Sequence, residues 1–573
     1  MKEYAETPVW GARKQRDTDD WSFGLWAPDA DEITLHLDGR QQVMAKSGGW
    51  HVATAAAEQG ILYGFERDGQ VFPDPASHWQ DGGVHALSKL LDPATLSQPA
   101  GWRGRDWRSA VIMELHVGTF TRDGTLKAAA RRMAEIAAMG FTGIELMPLG
   151  QFAGNRGWGY DVVLPYAVHP AYGTPHDLAD FVRIAQTHGL MVIVDAVYNH
   201  FGPEGCVQKQ LCPAFFDETR ETPWGGAIDF DRPEVRQFFL DNATMWLRDY
   251  GVDGLRLDAV HQIGLPGDTA FLRTLADHVD KLDLGRPVHL VPEDERNLAD
   301  YVIDAPNMRA QWNDDYHHAV HTLLTGESFS YYAPFAVDPF GDLVTAMRDG
   351  QVDQGQERPG QHEPRGEPSN HLPPECFVNS NQTHDQIGNR ARGDRLISLT
   401  GPGQVRIVHA LLALAPFIPM FFMGEEEGSR APFQFFTDFD GDLARAVSEG
   451  RKSEFPDFAN EDVPDPNEKS TFVNSRPYDA LEDDAAEWRE LTTHLLNLRH
   501  EHVVPLLISG WKSEQVERLS GRSMSARWIF EDGALEIIFT MEGPPGSLGR
   551  DTREIYYMTD DSGAGIRVGV SEG

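Results

Sequence analysis

The 573-residue sequence predicts an α/β fold: a (β/α)8 barrel preceded by a β-sandwich and followed by a small β-domain. Three observations carry this. Short strands separated by Asp-Gly turns occupy residues 1–95, β-rich runs alternate with helical stretches across 96–500, and strand patterning returns over 501–573. Strands alternating with helices call for parallel pairing through crossovers. Eight such units fit a closed barrel better than an open doubly wound sheet, and the Gly-x-Gly-x-x-Gly turn usual in the open alternative does not follow the first strand.

Each region has its own warrant. Trp21, Phe23, Leu25 and Trp26 begin an apolar patch that Pro28 stops, Ile33, Leu35 and Leu37 alternate before Asp38-Gly39, and 61–65 ends at Asp68-Gly69. Turns of this kind join antiparallel strands. The barrel runs are 111–115, 144–147, 191–194, 254–257, 288–291, a weaker 307–310, 377–379 and 418–422. Helical spacing separates them: Leu126, Ala130, Met133 and Ile136 precede the second run, 178–187 the third, and Val235, Phe238, Phe239, Trp246 and Leu247 the fourth. For the last of these helices the sequence predicts an Asp231 cap with Glu234 three residues on, Pro233 in the first turn and a left-handed Gly251 at the end. Residues 201–230 and 351–375 carry Gly and Pro without period, which predicts long loops over one barrel face, the first large enough for a small subdomain. Near the C-terminus, 526–529 and 535–540 flank Asp532-Gly533, with 555–558 following.

Lys and Arg number 50 against 88 Asp and Glu, a formal charge of −38. Such a surface repels polyanions, which excludes nucleic acid and anionic lipid as main partners and leaves a neutral sugar open. The three cysteines form no Cys-x-x-Cys, so neither a thiol redox site nor a zinc ribbon is indicated. Free thiols in a reduced compartment are expected, with a Cys206–Cys212 bridge as the alternative. No uncharged apolar run approaches membrane-spanning length and the first ten residues lack an apolar core, so a cytoplasmic protein off the membrane is expected.

In a barrel of this kind, chemistry collects at the C-terminal ends of the strands. Those ends carry Glu114 and His116, then Asp195 with Asn199 and His200, then Arg256 and Asp258, then Glu293, Asp294 and Glu295, then His384 and Asp385. One Asp after a strand is ordinarily a helix cap, and one Glu is ordinarily exposed. Several strand ends bearing carboxylates, flanked by Arg and His, suit glycosidic bond hydrolysis instead. One carboxylate must be ionised to attack the anomeric carbon and another protonated to donate to the leaving oxygen; crowding raises one pKa while Arg keeps another low. Strand alternation turns Asp294 away if Glu293 faces in. A metal site is the rival use of such residues, with His317 and His321 on one helix face beside Asp314 and Asp315, but His-Glu-x-x-His is absent. A Gly-x-Ser-x-Gly elbow and a Walker lysine loop are also absent.

These residues fall in four segments, DAVYNH at 195–200, GLRLDAVH at 254–261, VPED at 291–294 and THDQIGN at 383–389, that resemble the hallmark regions of the α-amylase family of glycoside hydrolases. The resemblance extends over nearly the whole chain. Within the family, QWNDDYHHAVHTLLTGE at 311–327, APFQFFTDF at 431–439, GWGYDVVLPYAVHPAYG at 157–173 and EGRKSEF at 449–455 are similar to the maltooligosyltrehalose trehalohydrolases. Glycogen branching enzymes, which share a Pro-Trp-Gly element like that at 223–225, are the rival, followed by generic α-glucan hydrolases and an inactive carbohydrate-binding protein. The sequence departs from the family at Ser380, Asn381, Thr383 and Glu427.

The resemblance implies a retaining mechanism needing neither metal nor organic cofactor. Asp258 is implied as nucleophile, Glu293 as acid and then base, and Asp385 as the holder of sugar hydroxyls. Arg256 is implied to keep Asp258 ionised, His200 and His384 to contact the sugar, and Tyr160 to stack on it. The narrower resemblance implies a trehalose-ended maltooligosaccharide as substrate and maltooligosyltrehalose synthase as pathway neighbour. Trp312, Asn313, Asp314 and Asp315 are the candidates to contact trehalose by their place after the sixth strand, with helix capping the alternative for Asp314 and Asp315.

Overall fold

Eight short strands, buried along their whole length, pair in parallel: β1 (Ile112–Leu115), β2 (Gly143–Leu146), β3 (Met191–Ala196), β4 (Gly254–Leu257), β5 (His289–Pro292), β6 (Gln311–Trp312), β7 (Phe377–Ser380) and β8 (Ile418–Phe422). Strands covered on both faces read as continuous apolar runs rather than alternating ones, as 191–194 and 418–422 do. The computed structural model describes residues 9–573 apart from 17, 98–100, 223–224, 265–268, 362 and 456–462, so Pro223 and Trp224 of the Pro-Trp-Gly element lie outside the described residues.

The hydrogen-bonded order is β5-β4-β3-β2-β1-β8-β7-β6. The ring closes through a parallel bridge between Leu290 and Met308, in which the Leu290 N–H donates to Asn307 O at 2.9 Å and the Arg309 N–H donates to Leu290 O at 3.0 Å. The run expected as the sixth strand, 307–310, thus supplies only this bridge. Asn307 is left-handed (φ 61), which breaks the extended run before Met308, and the ladder to β7 is made by Gln311 and Trp312.

The crossover helices show why the sequence folds this way. Helix Pro175–Thr187 begins with a capping box: Thr174 Oγ1 accepts from the Asp177 N–H at 3.2 Å and the Asp177 carboxylate accepts from the Thr174 N–H at 2.9 Å. Leu178, Phe181, Val182 and Ala185 share its buried face. The helix before β4 differs from expectation at its start. It runs Pro233–Thr244 with Arg232 as N-cap, and Asp231 does not cap it. Asp229 accepts from the Asp231 N–H at 3.1 Å and from Arg232 Nε at 3.0 Å, a local turn that moves the last extended position one residue on. Gly251 ends the segment in the left-handed region (φ 73).

Two antiparallel sheets precede the barrel and share a core of Trp21, Phe23, Leu25, Leu35, Tyr63 and Phe65. A five-stranded antiparallel sheet follows it, from Trp511–Ser520 to Gly565–Glu572. The described residues of 201–230 hold more regular structure than their composition suggests, with a short helix Gln208–Leu211 and paired strands Phe216–Thr222 and Gly225–Ile228. All three cysteines are free and buried. Among the described residues no helix is long and apolar enough to cross a membrane.

Candidate active site

Two clefts of similar size open on the barrel. One of about 840 Å³ lies by the N-terminal ends of β5 and β7, and one of about 830 Å³ holds Glu293, Asp314 and Asp385 at the C-terminal ends. Of these two, only the second is lined by strand-end carboxylates expected to react, Glu293 and Asp385.

The centre of this site is Arg256 on β4. Its Nη1 donates to Asp195 Oδ2 at 2.6 Å and Asp258 Oδ1 at 2.8 Å, and its Nη2 donates to Glu293 Oε2 at 2.5 Å. One buried guanidinium therefore gathers the ends of β3, β4 and β5. The Trp312 ring lies 4.2 Å from it. Burial disfavours the charge, but Asp195 and Glu293 hold the Arg256 pKa well above its ordinary value.

Asp258 is fixed from a second side by Asn199, whose Nδ2 donates to Asp258 Oδ2 at 2.7 Å and to Asp258 O at 2.8 Å. The next residue, Ala259, is left-handed (φ 40), a conformation costing a non-glycine residue about 1–3 kcal/mol. The turn aims the Ala259 N–H at Glu293 Oε2, 3.0 Å away. Burial pushes Glu293 up to about 8, with Asp258, Asp314 and Asp385 adding to the rise and Arg256 opposing it. Burial also lifts Asp195 to about 6 against the pull of Arg256.

A second cluster lies beside the first. The β1 carboxylate of Glu114 meets His384 Nδ1 and accepts from the His384 N–H at 3.2 Å. Burial works against a charged His384, yet Glu114 raises its pKa. Tyr160 stacks on the His384 ring at 5.0 Å and donates to Asp195 Oδ2 at 2.6 Å. His200 is buried and meets Asn199 Oδ1 through Nδ1; burial lowers its pKa. Thr383 is a helix cap here: its hydroxyl accepts from the Asp385 N–H at 3.3 Å, while Gln386 Oε1 accepts from the Thr383 N–H at 3.1 Å. The turn presents Asp385, whose Oδ1 accepts from Asn389 Nδ2 at 2.7 Å. At the Glu427 departure, Arg489 Nε donates to the carboxylate at 3.0 Å.

The four residues at the end of β6 and just past it separate. Trp312 lies buried against Arg256. Asn313 caps helix Asp314–Thr325, accepting from the Tyr316 N–H at 3.3 Å and donating to Gly350 O and Asn379 Oδ1 at 2.8 Å each. Asp315 is fully buried and accepts from the Val352 and Asp353 N–H groups and Asn297 Nδ2, each at 2.8 Å. Asp314 alone of the four lines the cleft, where burial and then Asp385 raise its pKa to about 6 and Gln386 Nε2 donates to it at 3.1 Å. His317 and His321 are engaged by Asn381 O at 2.7 Å and Glu327 at 2.7 Å. Asp294 is taken up by Arg296 at 2.7 and 2.8 Å, and exposed Glu295 lies 3.3 Å from His261.

Sequence reasoning missed several residues here. Tyr331, Gln361 and Arg365 line the cleft from segments without periodicity, where the only signal is the Tyr331-Tyr332 pair. Glu145 is buried on β2 opposite Glu114; burial and then Glu114 push its pKa well up. A lone carboxylate inside an apolar strand is the signal that marks it.

Comparison with known proteins agrees with this geometry. Residues 80–212 match the alpha amylase catalytic domain family. The chain is 38% identical to a malto-oligosyltrehalose trehalohydrolase of Rhizobium sp. (strain M-11), over 97% of this chain and 96% of the relative. It is 36% identical to the enzyme of that name from Deinococcus radiodurans, over 93% and 88%. A Salmonella typhimurium crystal structure described as an alpha amylase superposes with a TM-score of 0.92 at 40% identity, over 99% of this chain and all (100%) of that one. Identity at this level along nearly the full length of both chains places the protein in the malto-oligosyltrehalose trehalohydrolase family, within the α-amylase glycoside hydrolases.

Proposed function

We propose that the protein is a retaining glycoside hydrolase that cleaves the α-1,4 bond between a maltooligosyl chain and its terminal trehalose, releasing trehalose. The observation that carries the chemistry is the Arg256 clamp, which draws Asp258 and Glu293 onto adjacent nitrogens of one guanidinium. That arrangement suits the short carboxylate separation of retaining enzymes, about 5–5.5 Å, rather than the wider gap that admits a water. Membership of the family supplies the substrate class.

Asp258, paired with Arg256 and Asn199, attacks C1 as a carboxylate. Glu293, pushed up to about 8, holds the proton that the leaving oxygen needs near neutral pH. The same residue then deprotonates the water that opens the glycosyl ester, and the anomeric configuration is retained. Asp385 holds hydroxyls of the reacting sugar, with Tyr160, His200 and His384 against that ring. On the leaving side the trehalose contact narrows to Asp314, because Asn313 and Asp315 spend their polar atoms inside the protein. Trehalose bends where maltose does not, and leaving groups built for it unpaired costs about 1–3 kcal/mol each. Two or three such groups amount to very roughly 10²-fold or more in relative rate. This reading sets the protein in the cytoplasm, downstream of a maltooligosyltrehalose synthase.

Time-resolved chromatography on maltopentaose and its trehalose-ended counterpart tests it. Free trehalose is expected early and much faster than any product from maltopentaose. Equal rates, or a transferred branch, reject it.

A further inference from the structure

Arg365 stands apart from the catalytic carboxylates, yet three chain segments meet on its guanidinium. Its Nε donates to Asp353 Oδ2 at 2.6 Å, its Nη2 to Asp315 Oδ1 at 2.6 Å, and its Nη1 to the backbone O of Glu295 at 2.7 Å. Glu295 is two residues past Glu293, Asp315 stands in the first turn of the helix after β6, and Asp353 belongs to the same irregular segment, 351–375, as Arg365 itself. The Asp315 and Asp353 side chains are at most 1% exposed.

The segment is folded tightly around this point. The Gly355 N–H donates to Arg365 O at 2.7 Å, and a Cβ on Gly366 would sit 1.9 Å from Asp353 O. Asp353 also accepts from Arg358 Nη1 at 2.7 Å, and Arg358 Nη2 reaches Asp342 at 2.5 Å on helix Pro339–Asp349. The front of the segment, at Gly360, Gln361, Glu363 and Arg365, lines the cleft that holds Glu293, Asp314 and Asp385. The Arg256 set and the Arg365 set share no side chain.

We propose that Arg365 is a positioning residue for the leaving-group half of the substrate: it fastens the wall formed by 351–375 to the backbone just past Glu293 and to Asp315. The inference rests on the reading above, in which Glu293 protonates the departing oxygen. A wall tied to the Glu293–Glu295 stretch then faces the sugars on that oxygen. Releasing it weakens the hold on those sugars and leaves attack by Asp258 intact.

The test compares wild type, Arg365→Gln and Arg365→Lys on the trehalose-ended pentasaccharide, on maltopentaose and on α-maltotriosyl fluoride, whose leaving group is one atom and needs no wall. Melting temperature is followed in parallel. Arg365→Gln is expected to raise KM for the trehalose-ended substrate about tenfold or more while kcat/KM for the fluoride stays within about twofold of wild type. Arg365→Lys is expected to recover part of the loss, because an ammonium can hold a carboxylate but cannot span all three acceptors. An unchanged KM, or an equal fall on the fluoride, overturns the inference. If Arg365→Gln does not fold, the same split in Arg365→Lys decides. Equal wild-type rates on the two pentasaccharides overturn the trehalose reading instead, and the split between maltopentaose and the fluoride then decides the role of Arg365.

Discussion

Arg256 and Arg365 each tie carboxylates together at the same end of the barrel, but one serves the floor of the cleft and the other its wall. Around Arg256 there are three acids, Asp195, Asp258 and Glu293, for one cation. Burial disfavours the charged acid and the neighbouring carboxylates add to that effect, so a proton is favoured and Glu293 rises to about 8. In the wall there are also three acids, Asp315, Asp342 and Asp353, but two cations, Arg358 and Arg365, and the Arg365 side chain keeps 29% exposure. That set carries less excess charge and holds a loop in place, although burial still pushes Asp342 up to about 7. The same pairing chemistry thus surrounds a reacting carboxyl in one location and fixes a loop in the other, and the place of each set relative to the strand ends separates the two uses.

The comparison breaks most sharply at the nucleophile. Asp258→Asn keeps a side chain of the same size beside Arg256 and is expected to lower hydrolysis at least ~10³-fold with folding retained. Near-normal turnover removes Asp258 from the mechanism.

Glu293→Gln is expected to lower cleavage of a natural glucoside by about 10²-fold or more and to spare a substrate with an activated leaving group. The acid must carry its proton, and its pKa is raised, so wild-type kcat/KM should hold through neutrality and fall as pH rises through about 8. That alkaline limb should flatten in Glu293→Gln on the activated substrate. A dead Glu295→Gln beside a fully active Glu293→Gln moves the role to Glu295.

On the wall, Asp315→Ala strips the partner from Arg365 and three further donors. Breaking a buried pair from one side costs about 3–5 kcal/mol, which denaturant unfolding reads directly. A stability loss under about 1 kcal/mol shows that the wall is not held by this carboxylate. The smallest expected effect is at Asp314. Asp314→Asn should narrow the preference for the trehalose-ended chain by roughly tenfold, about the worth of one charged hydrogen bond, with the plain-chain rate largely kept. An unchanged ratio of kcat/KM values takes Asp314 out of the leaving-group contact.

How legible these parts were in the sequence depends on what fixes them. Seven of the eight barrel strands lie where apolar runs placed them, because a strand buried on both faces needs such a run. The sixth is expected at 307–310 but forms at Gln311–Trp312, because a left-handed Asn307 reduces the earlier run to a single bridge. Asp231 matched a capping pattern, but the turn at Asp229 competed for the same stretch of backbone.

Apolar period and polar placement are enough to specify the barrel, its flanking β regions, and the set of polar residues at the strand ends. Strand direction and period place those residues at one end of a barrel wherever the rest of the chain goes. How they divide the work emerges with folding. Asn313, Asp314 and Asp315 are adjacent and chemically alike, and the helical twist after β6 sends only Asp314 to the cleft. The shift of Glu293 to about 8 comes from desolvation and from acids distant in sequence, and Arg365 acquires its partners only when an aperiodic loop folds back on Asp353 and Asp315. Contacts between residues far apart in the chain leave no local period to read, so these features belong to the folded molecule.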